Sequence, residues 1–131
     1  MVRGLGRLDV MARNLYKNLV VWQKSVEMVK EIYRISEQLP KSEDYNLKQQ
    51  LKRAIISVAL NIAEGKNRRT SKDFANFLTM SAASLAEVEA ILTICEELKY
   101  LQDLDGVYEK IEILGKMINS LKRKLLSKEK R

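Results

Sequence analysis

Thr70-Ser71-Lys72-Asp73-Phe74-Ala75-Asn76-Phe77-Leu78-Thr79-Met80-Ser81-Ala82-Ala83-Ser84-Leu85-Ala86-Glu87-Val88-Glu89-Ala90-Ile91-Leu92-Thr93-Ile94-Cys95 decides the fold. Phe74, Leu78, Ser81, Leu85, Val88, Leu92 and Cys95 keep unbroken 4-3 spacing, the period of a helix with one core-facing stripe. Thr70 or Ser71 supplies the N-cap, and Asp73 in the first turn suits the positive end of the helix dipole.

The same period extends outward in both directions. Upstream, the loop Lys66-Asn67-Arg68-Arg69 follows a predicted helix over 47–64. Its core stripe is Leu47, Leu51, Ala54, Val58 and Ile62, with Ile55 and Ala59 beside it, and Gly65 is read as a left-handed residue just past its end. Before the polar connection 41–46, a helix over 19–39 carries Trp22, Val26, Val29 and Tyr33 at 4-3-4 spacing. Val21, Met28, Ile32, Ile35 and Leu39 widen that stripe, and Pro40 ends the helix because the residue before proline is pushed out of helical geometry. Downstream, a helix starting near Asp103 or Asp105 repeats the pattern with Val107, Ile111, Leu114, Ile118, Leu121 and Leu125.

No segment alternates with period two. Long helices of about 20 residues, hence about 30 Å, joined by short connections must lie antiparallel to their neighbours. The expected fold is all-α, an antiparallel up-down-up-down four-helix bundle. Residues 1–18 read as a basic N-terminal extension, 19–126 as the bundle and 127–131 as a basic C-terminal tail.

Composition removes several functions. The 131 residues contain no histidine and one cysteine, Cys95. No Ser-His-Asp or Cys-His nucleophile and no His-ligated metal site can be built, and no intramolecular disulfide can form. An RNA-cleaving bundle that uses an Arg-x4-His motif is disfavoured for the same reason. The carboxylate pairs Glu87/Glu89 and Glu96/Glu97 do not share a helix face, so a di-metal bundle site is unsupported. No catalytic residue, metal or cofactor is expected. No apolar run approaches the ~18–20 residues of a membrane span, and the N-terminus has no continuous apolar core of a secretory signal. The expected compartment is the cytoplasm.

Two polar features do not belong to a simple core. At 100° per residue from Arg53, Gln50 falls at about 60°, Ser57 at about 40°, Asn61 at about 80° and Glu64 at about 20°. This mixed strip reads either as a hydrogen-bonding surface against another polypeptide or as an exposed face with incidental Ser and Asn. Ser84 and Glu87 stand beside the small residues Ala82, Ala83 and Ala86, which suit close helix approach either between subunits or inside the bundle.

Twenty-four bases against seventeen acids leave a net +7, and the surplus is uneven. Lys48, Lys52, Arg53, Lys66, Arg68, Arg69 and Lys72 face only Glu64 across 47–72, whereas 73–101 is acidic and the C-terminal stretch is basic again. Up-down-up-down topology places the N-terminal bases, the 66–72 loop and the C-terminal lysines at one end of the bundle. The candidate nucleic-acid contacts are Arg13, Lys17, Lys48, Lys52, Lys66, Arg68, Arg69, Lys72, Lys122, Arg123 and Lys124, acting through phosphate charge. Few aromatics interleave them, so stacking on unpaired bases is not indicated. The competing reading is solubilising charge alone.

Residues 50–65, Gln-Leu-Lys-Arg-Ala-Ile-Ile-Ser-Val-Ala-Leu-Asn-Ile-Ala-Glu-Gly, closely resemble the hallmark segment of the four-helix-bundle proteins encoded in 23S ribosomal RNA intervening sequences. Val21-Trp22-Gln23-Lys24, Ile32-Tyr33, Leu39-Pro40, and Arg69 with Ser71 before Phe74 add to the resemblance. Ser84-Leu85-Ala86-Glu87 matches the family's Gly-Ser-x-x-Glu step, with Ala83 in place of the glycine. The resemblance spans about residues 18–122. It implies a ring-shaped homopentamer without enzymatic activity. The family includes the accessory variability determinant of diversity-generating retroelements, which binds a reverse transcriptase and nucleic acid. On that resemblance Gln50, Arg53, Ser57, Asn61, Glu64, Ser84 and Glu87 serve the oligomer interface. The expected function is therefore a non-enzymatic oligomeric nucleic-acid-binding accessory protein. The alternative is an oligomeric protein-only scaffold.

Overall fold

The computed structural model describes residues 15–129. Arg13 with most of the N-terminal extension, and the last two residues of the C-terminal tail, lie outside the described residues. Among the described residues there are four α-helices and no strand: α1 Val20–Ser36, α2 Leu47–Lys66, α3 Ser71–Glu97 and α4 Asp105–Glu129, with 3-10 turns at Leu15–Asn18 and Lys41–Glu43. Each helix packs on the next and α1 closes on α4; the α2–α3 seam is the broadest and the α1–α4 seam the thinnest.

The α3 stripe behaves as its spacing requires. Phe74, Leu78, Ser81, Leu85, Val88, Leu92 and Cys95 are all buried. Thr70 is the cap, its Oγ1 accepting from the Asp73 backbone N–H at 3.0 Å. Core residues Val107, Ile111, Leu114 and Ile118 of α4 are buried too, while Leu121 and Leu125 are half-buried at its end.

Three expectations need correction. The buried line of α1 is Val21, Ser25, Met28, Ile32 and Ile35, one residue round from the Trp22–Tyr33 stripe; Trp22, Val26 and Val29 are half-buried and Tyr33 is exposed. Ser25 and Ser36 can occupy core positions because their hydroxyls donate to the Trp22 and Tyr33 carbonyls, at 2.6 and 2.7 Å. After Ser36 the chain reaches Leu39 through tighter i→i+3 turns rather than further α-helix. The presumed N-terminal extension is in part docked: Tyr16 meets Trp22 edge-on at 5.1 Å and the Gln23 side chain donates to the Lys17 carbonyl at 2.9 Å. At the other terminus α4 continues to Glu129, into the stretch read as a tail.

Gly65 is the third. It lies inside α2, and none of the described glycines has positive φ; the left-handed residues are Lys99 (φ 64°) and Asp103 (φ 59°) in the α3–α4 connection. Gly65 is there for proximity. A Cβ at this position would stand 2.7 Å from Phe77 Cβ and 2.8 Å from Phe74 Cδ1, below any real van der Waals contact.

By length and composition α3 would also suffice to cross a membrane, with an 18-residue window of mean hydropathy 1.5. No uninterrupted apolar run reaches that length, so it is the average over the helix, not a continuous run, that meets the measure. Its apolarity has two uses here: one stripe fills the core, and Met80 and Ile94 stay 45% and 47% exposed on the outside.

At the end of the bundle holding the α1–α2 and α3–α4 connections, Tyr100 donates to Glu43 at 3.4 Å and Tyr108 to Glu96 at 2.5 Å. Desolvation first, and the neighbouring carboxylate second, hold both phenols above the ordinary tyrosine value; burial likewise raises the Cys95 thiol.

Gly65→Ala should destabilise the fold by about 1–3 kcal/mol through overpacking. Gly106→Ala has nothing within 4 Å of its new Cβ and should be neutral or stabilising by up to about 1 kcal/mol. Denaturant midpoints separate the two. Because the folded state favours the neutral phenols, their contribution is complete below about pH 10 and lost as pH rises through the raised values. Urea midpoints between about pH 8 and 11.5 should therefore fall, and Tyr108→Phe should make that fall shallower.

Candidate functional site

The α2–α3 connection builds a basic end. Lys66 closes α2 with its ammonium 5.9 Å from the Phe74 ring centroid, and the Arg68 guanidinium lies 4.6 Å from that of Phe77. These cation–π contacts cover the aromatic faces, so the two rings are packing surfaces and not stacking platforms. Arg68 also pairs with Glu64 at 3.3 Å. Arg69 and Lys72 are exposed beside the α3 N-terminus.

Antiparallel packing adds α4 to the same end. A Cβ on Gly115 would lie 3.7 Å from Leu85 Cδ2, which sets the register and brings residues 122–124 level with about 76–78. Lys122 is half-buried and Arg123 and Lys124 are exposed there. Lys17 is exposed on the N-terminal 3-10 turn, whose Tyr16 lines a cleft with Glu64 and Asn67. Among the described residues Arg69, Lys122, Arg123 and Lys124 make no ion pair.

Lys48 and Lys52 do not join this group. They sit at the start of α2, and Lys52 is about 21 Å from Lys66 along the helix. Lys48 pairs with Asp44 at 3.4 Å and Glu37 at 3.5 Å; Lys52 pairs with Glu37 at 3.5 Å and lies 4.9 Å over the Tyr33 ring. Desolvation pulls the Lys48 ammonium down, but the two carboxylates outweigh it and hold the group above its ordinary value. Charge counting along the chain merged two ends that the fold separates. Arg13 lies outside the described residues.

The polar strip divides in a similar way. Ser84 Oγ donates to Ser57 Oγ at 3.0 Å, and the Asn61 amide donates to the Ser57 carbonyl and hydroxyl at 2.9 and 3.0 Å. Ser81, one turn deeper, donates to the Val58 carbonyl at 2.8 Å. These serines stitch α2 to α3. Gln50 donates to Asn46 at 2.9 Å, and Glu64 holds Arg68. Arg53 and Glu87, level with each other along α2 and α3, are exposed and make no ion pair among the described residues. Around them stand the exposed Leu60 (63%), Met80, Ala83, Ala90 and Ile94. Sequence reading missed this apolar surface because it treated α3 as amphipathic. The signal was present: Met80, Ala83, Ala90 and Ile94 lie opposite the core stripe, and Glu87 is the one charge among them.

A second surface also escaped the sequence reading. α1 and α4 leave a groove of about 560 Å³ with a floor that includes Met28, Ile113, Leu114 and Met117. Ile113, 52% exposed, was the visible signal, an isoleucine outside the α4 core stripe. Among the described residues no group of three or more His, Cys, Asp or Glu stands close enough to hold a metal ion.

The sequence model of the 23S rRNA-intervening sequence protein family matches residues 17–120, and the chain belongs to that family. Comparison with curated proteins gives no match.

In a Ser57→Ala/Ser84→Ala double-mutant cycle, the interhelical hydrogen bond should appear as a coupling of about 0.5–1.5 kcal/mol in unfolding free energy. A coupling of zero would show that the serines are not paired in solution.

Proposed function

We propose that this member of the 23S rRNA-intervening sequence protein family is a non-enzymatic, oligomeric nucleic-acid-binding accessory protein. The observation that carries the reading is the basic end: Lys66, Arg68, Arg69 and Lys72 on the α2–α3 connection, with Lys17 and residues 122–124 at the same end. Cations that share one end suit a phosphate backbone, where released counterions supply affinity independent of sequence, and among the described residues Arg69 and residues 122–124 make no ion pair. The ligand is RNA or DNA in duplex form, since the nearby Phe74 and Phe77 rings are already covered by Lys66 and Arg68.

Self-association supplies the second half of the reading. The exposed Met80, Ala83, Ala90 and Ile94 with Glu87 on α3, and Leu60 with Arg53 beside them on α2, form an uncovered face; among the described residues neither charge has an ion pair, and α3 is apolar enough for burial on both sides. A ring, a homopentamer on the family resemblance, would multiply weak phosphate contacts into avidity. A reverse transcriptase of a diversity-generating retroelement is the partner such a binder would serve. Cytoplasmic residence suits the buried free thiol of Cys95, and the exposed apolar side of α3 is assigned to self-association rather than to a membrane.

The second reading is a protein-only scaffold, which the Arg68–Glu64 pair favours by lowering the net charge at the basic end. Fluorescence anisotropy with labelled duplex RNA and DNA distinguishes the two. Binding should weaken steeply between ~0.05 and ~0.2 M salt. Arg69→Glu with Lys72→Glu should weaken it about tenfold or more, while Lys48→Glu, at the other end, should leave it nearly unchanged. Absence of binding at the lowest salt would leave the scaffold.

A further inference from the structure

Two unlike surfaces on this chain complement each other. The first is the α1–α4 groove, whose floor of Met28, Ile113, Leu114 and Met117 is apolar. Its rim carries Lys24, Lys30, Arg34 and Lys110 against Glu27 and Glu31. Both carboxylates are engaged, Glu27 with Lys24 at 3.3 Å and Glu31 with Lys110 at 3.0 Å. Lys30 and Arg34 are left exposed and, among the described residues, without an ion pair. The second surface is the outward face of α3: Met80, Ala83, Ala90 and Ile94 with Glu87, whose carboxylate has no ion pair among the described residues.

The face is longer than the rim, so the rim would seat part of it. From Met80 to Ile94 α3 offers about 21 Å of face, and from Lys24 to Arg34 α1 offers about 15 Å of rim. Ala83 and Ala90 present no bulk to hold a neighbouring helix away, and the two groove methionines adapt to whatever packs on them. Excess positive charge flanks the apolar groove; a lone negative charge sits in the apolar stripe.

We infer that the α1–α4 groove of one copy receives the outward face of α3 from a second copy, with Glu87 of the inserted helix meeting Lys30 and Arg34 of the groove. The contact is heterologous, because the two copies contribute different surfaces, and it propagates around a ring when its rotation closes. This pairing rests on the self-association proposed above and names the two surfaces that make it.

Two variants test it, each blocking one surface at an exposed position: Ile113→Glu in the groove and Ala90→Glu on α3. Wild-type protein should assemble in light scattering coupled to size exclusion, and each variant alone should be a monomer with unchanged helical circular dichroism. Mixed in equal amounts, they should form a one-to-one dimer and nothing larger, since only one intact groove and one intact α3 face can meet. A mixture that stays monomeric, or a single variant that still assembles like wild type, would overturn the pairing while leaving self-association standing. A monomeric wild-type protein would remove self-association itself, and the pairing with it.

Discussion

The close approach of α2 to α3 is the constraint on which the other features depend. With only hydrogen at Gly65, the α2 backbone comes within reach of Phe74 and Phe77, where a methyl group would meet carbon at 2.7–2.8 Å. Once the helices are that near, serine hydroxyls can bridge them: Ser81 reaches the Val58 carbonyl and Ser84 reaches Ser57. Larger apolar residues at these places would hold the helices apart and leave the junction looser. The short connection that follows must turn at once, so Lys66, Arg68, Arg69 and Lys72 emerge together at one corner. Lys66 and Arg68 lie over the same two rings that seal the junction. The packing glycine and the proposed binding surface are thus parts of one local arrangement.

Where one periodicity governs a segment, the sequence alone was enough. Every position of the α3 stripe from Phe74 to Cys95 is buried as its spacing requires, and the order and direction of the helices follow from length and short connections. Legibility failed where a residue type has two physical uses. Serine in α1 looked polar, yet Ser25 and Ser36 satisfy their hydroxyls on their own helix and sit fully buried. That rotated the expected α1 stripe by one residue. Glycine past an apolar run signals a helix end or a close contact, and only the position of Phe74 and Phe77 decides for the contact at 65. Conversely, Lys99 and Asp103 take left-handed geometry that sequence would assign to glycine.

The candidate surfaces were legible in composition but not in partnership. Lys48 and Arg69 count equally toward +7, yet Lys48 is held by two carboxylates while Arg69 has none among the described residues. Whether a base is available depends on which acids the tertiary fold brings within 4 Å, and Glu37 reaches Lys48 and Lys52 only after the α1–α2 turn. The same reasoning separates Ser57, Asn61 and Ser84, which are occupied in the chain, from Arg53 and Glu87, which are not.

Assembly and binding are then linked by direction. The α1–α4 groove and the outward face of α3 both run along the helix axes, so a contact between them sets bundles side by side. A heterologous contact repeated about an axis parallel to the helices keeps every copy pointing the same way. In the proposed ring all basic ends would face one side, where their fields would add and the proposed phosphate contacts would act together. An isologous contact about a perpendicular two-fold would place the basic ends on opposite sides. Gathering the bases at one end, rather than spreading them around the bundle, suits the first geometry and is of little use in the second.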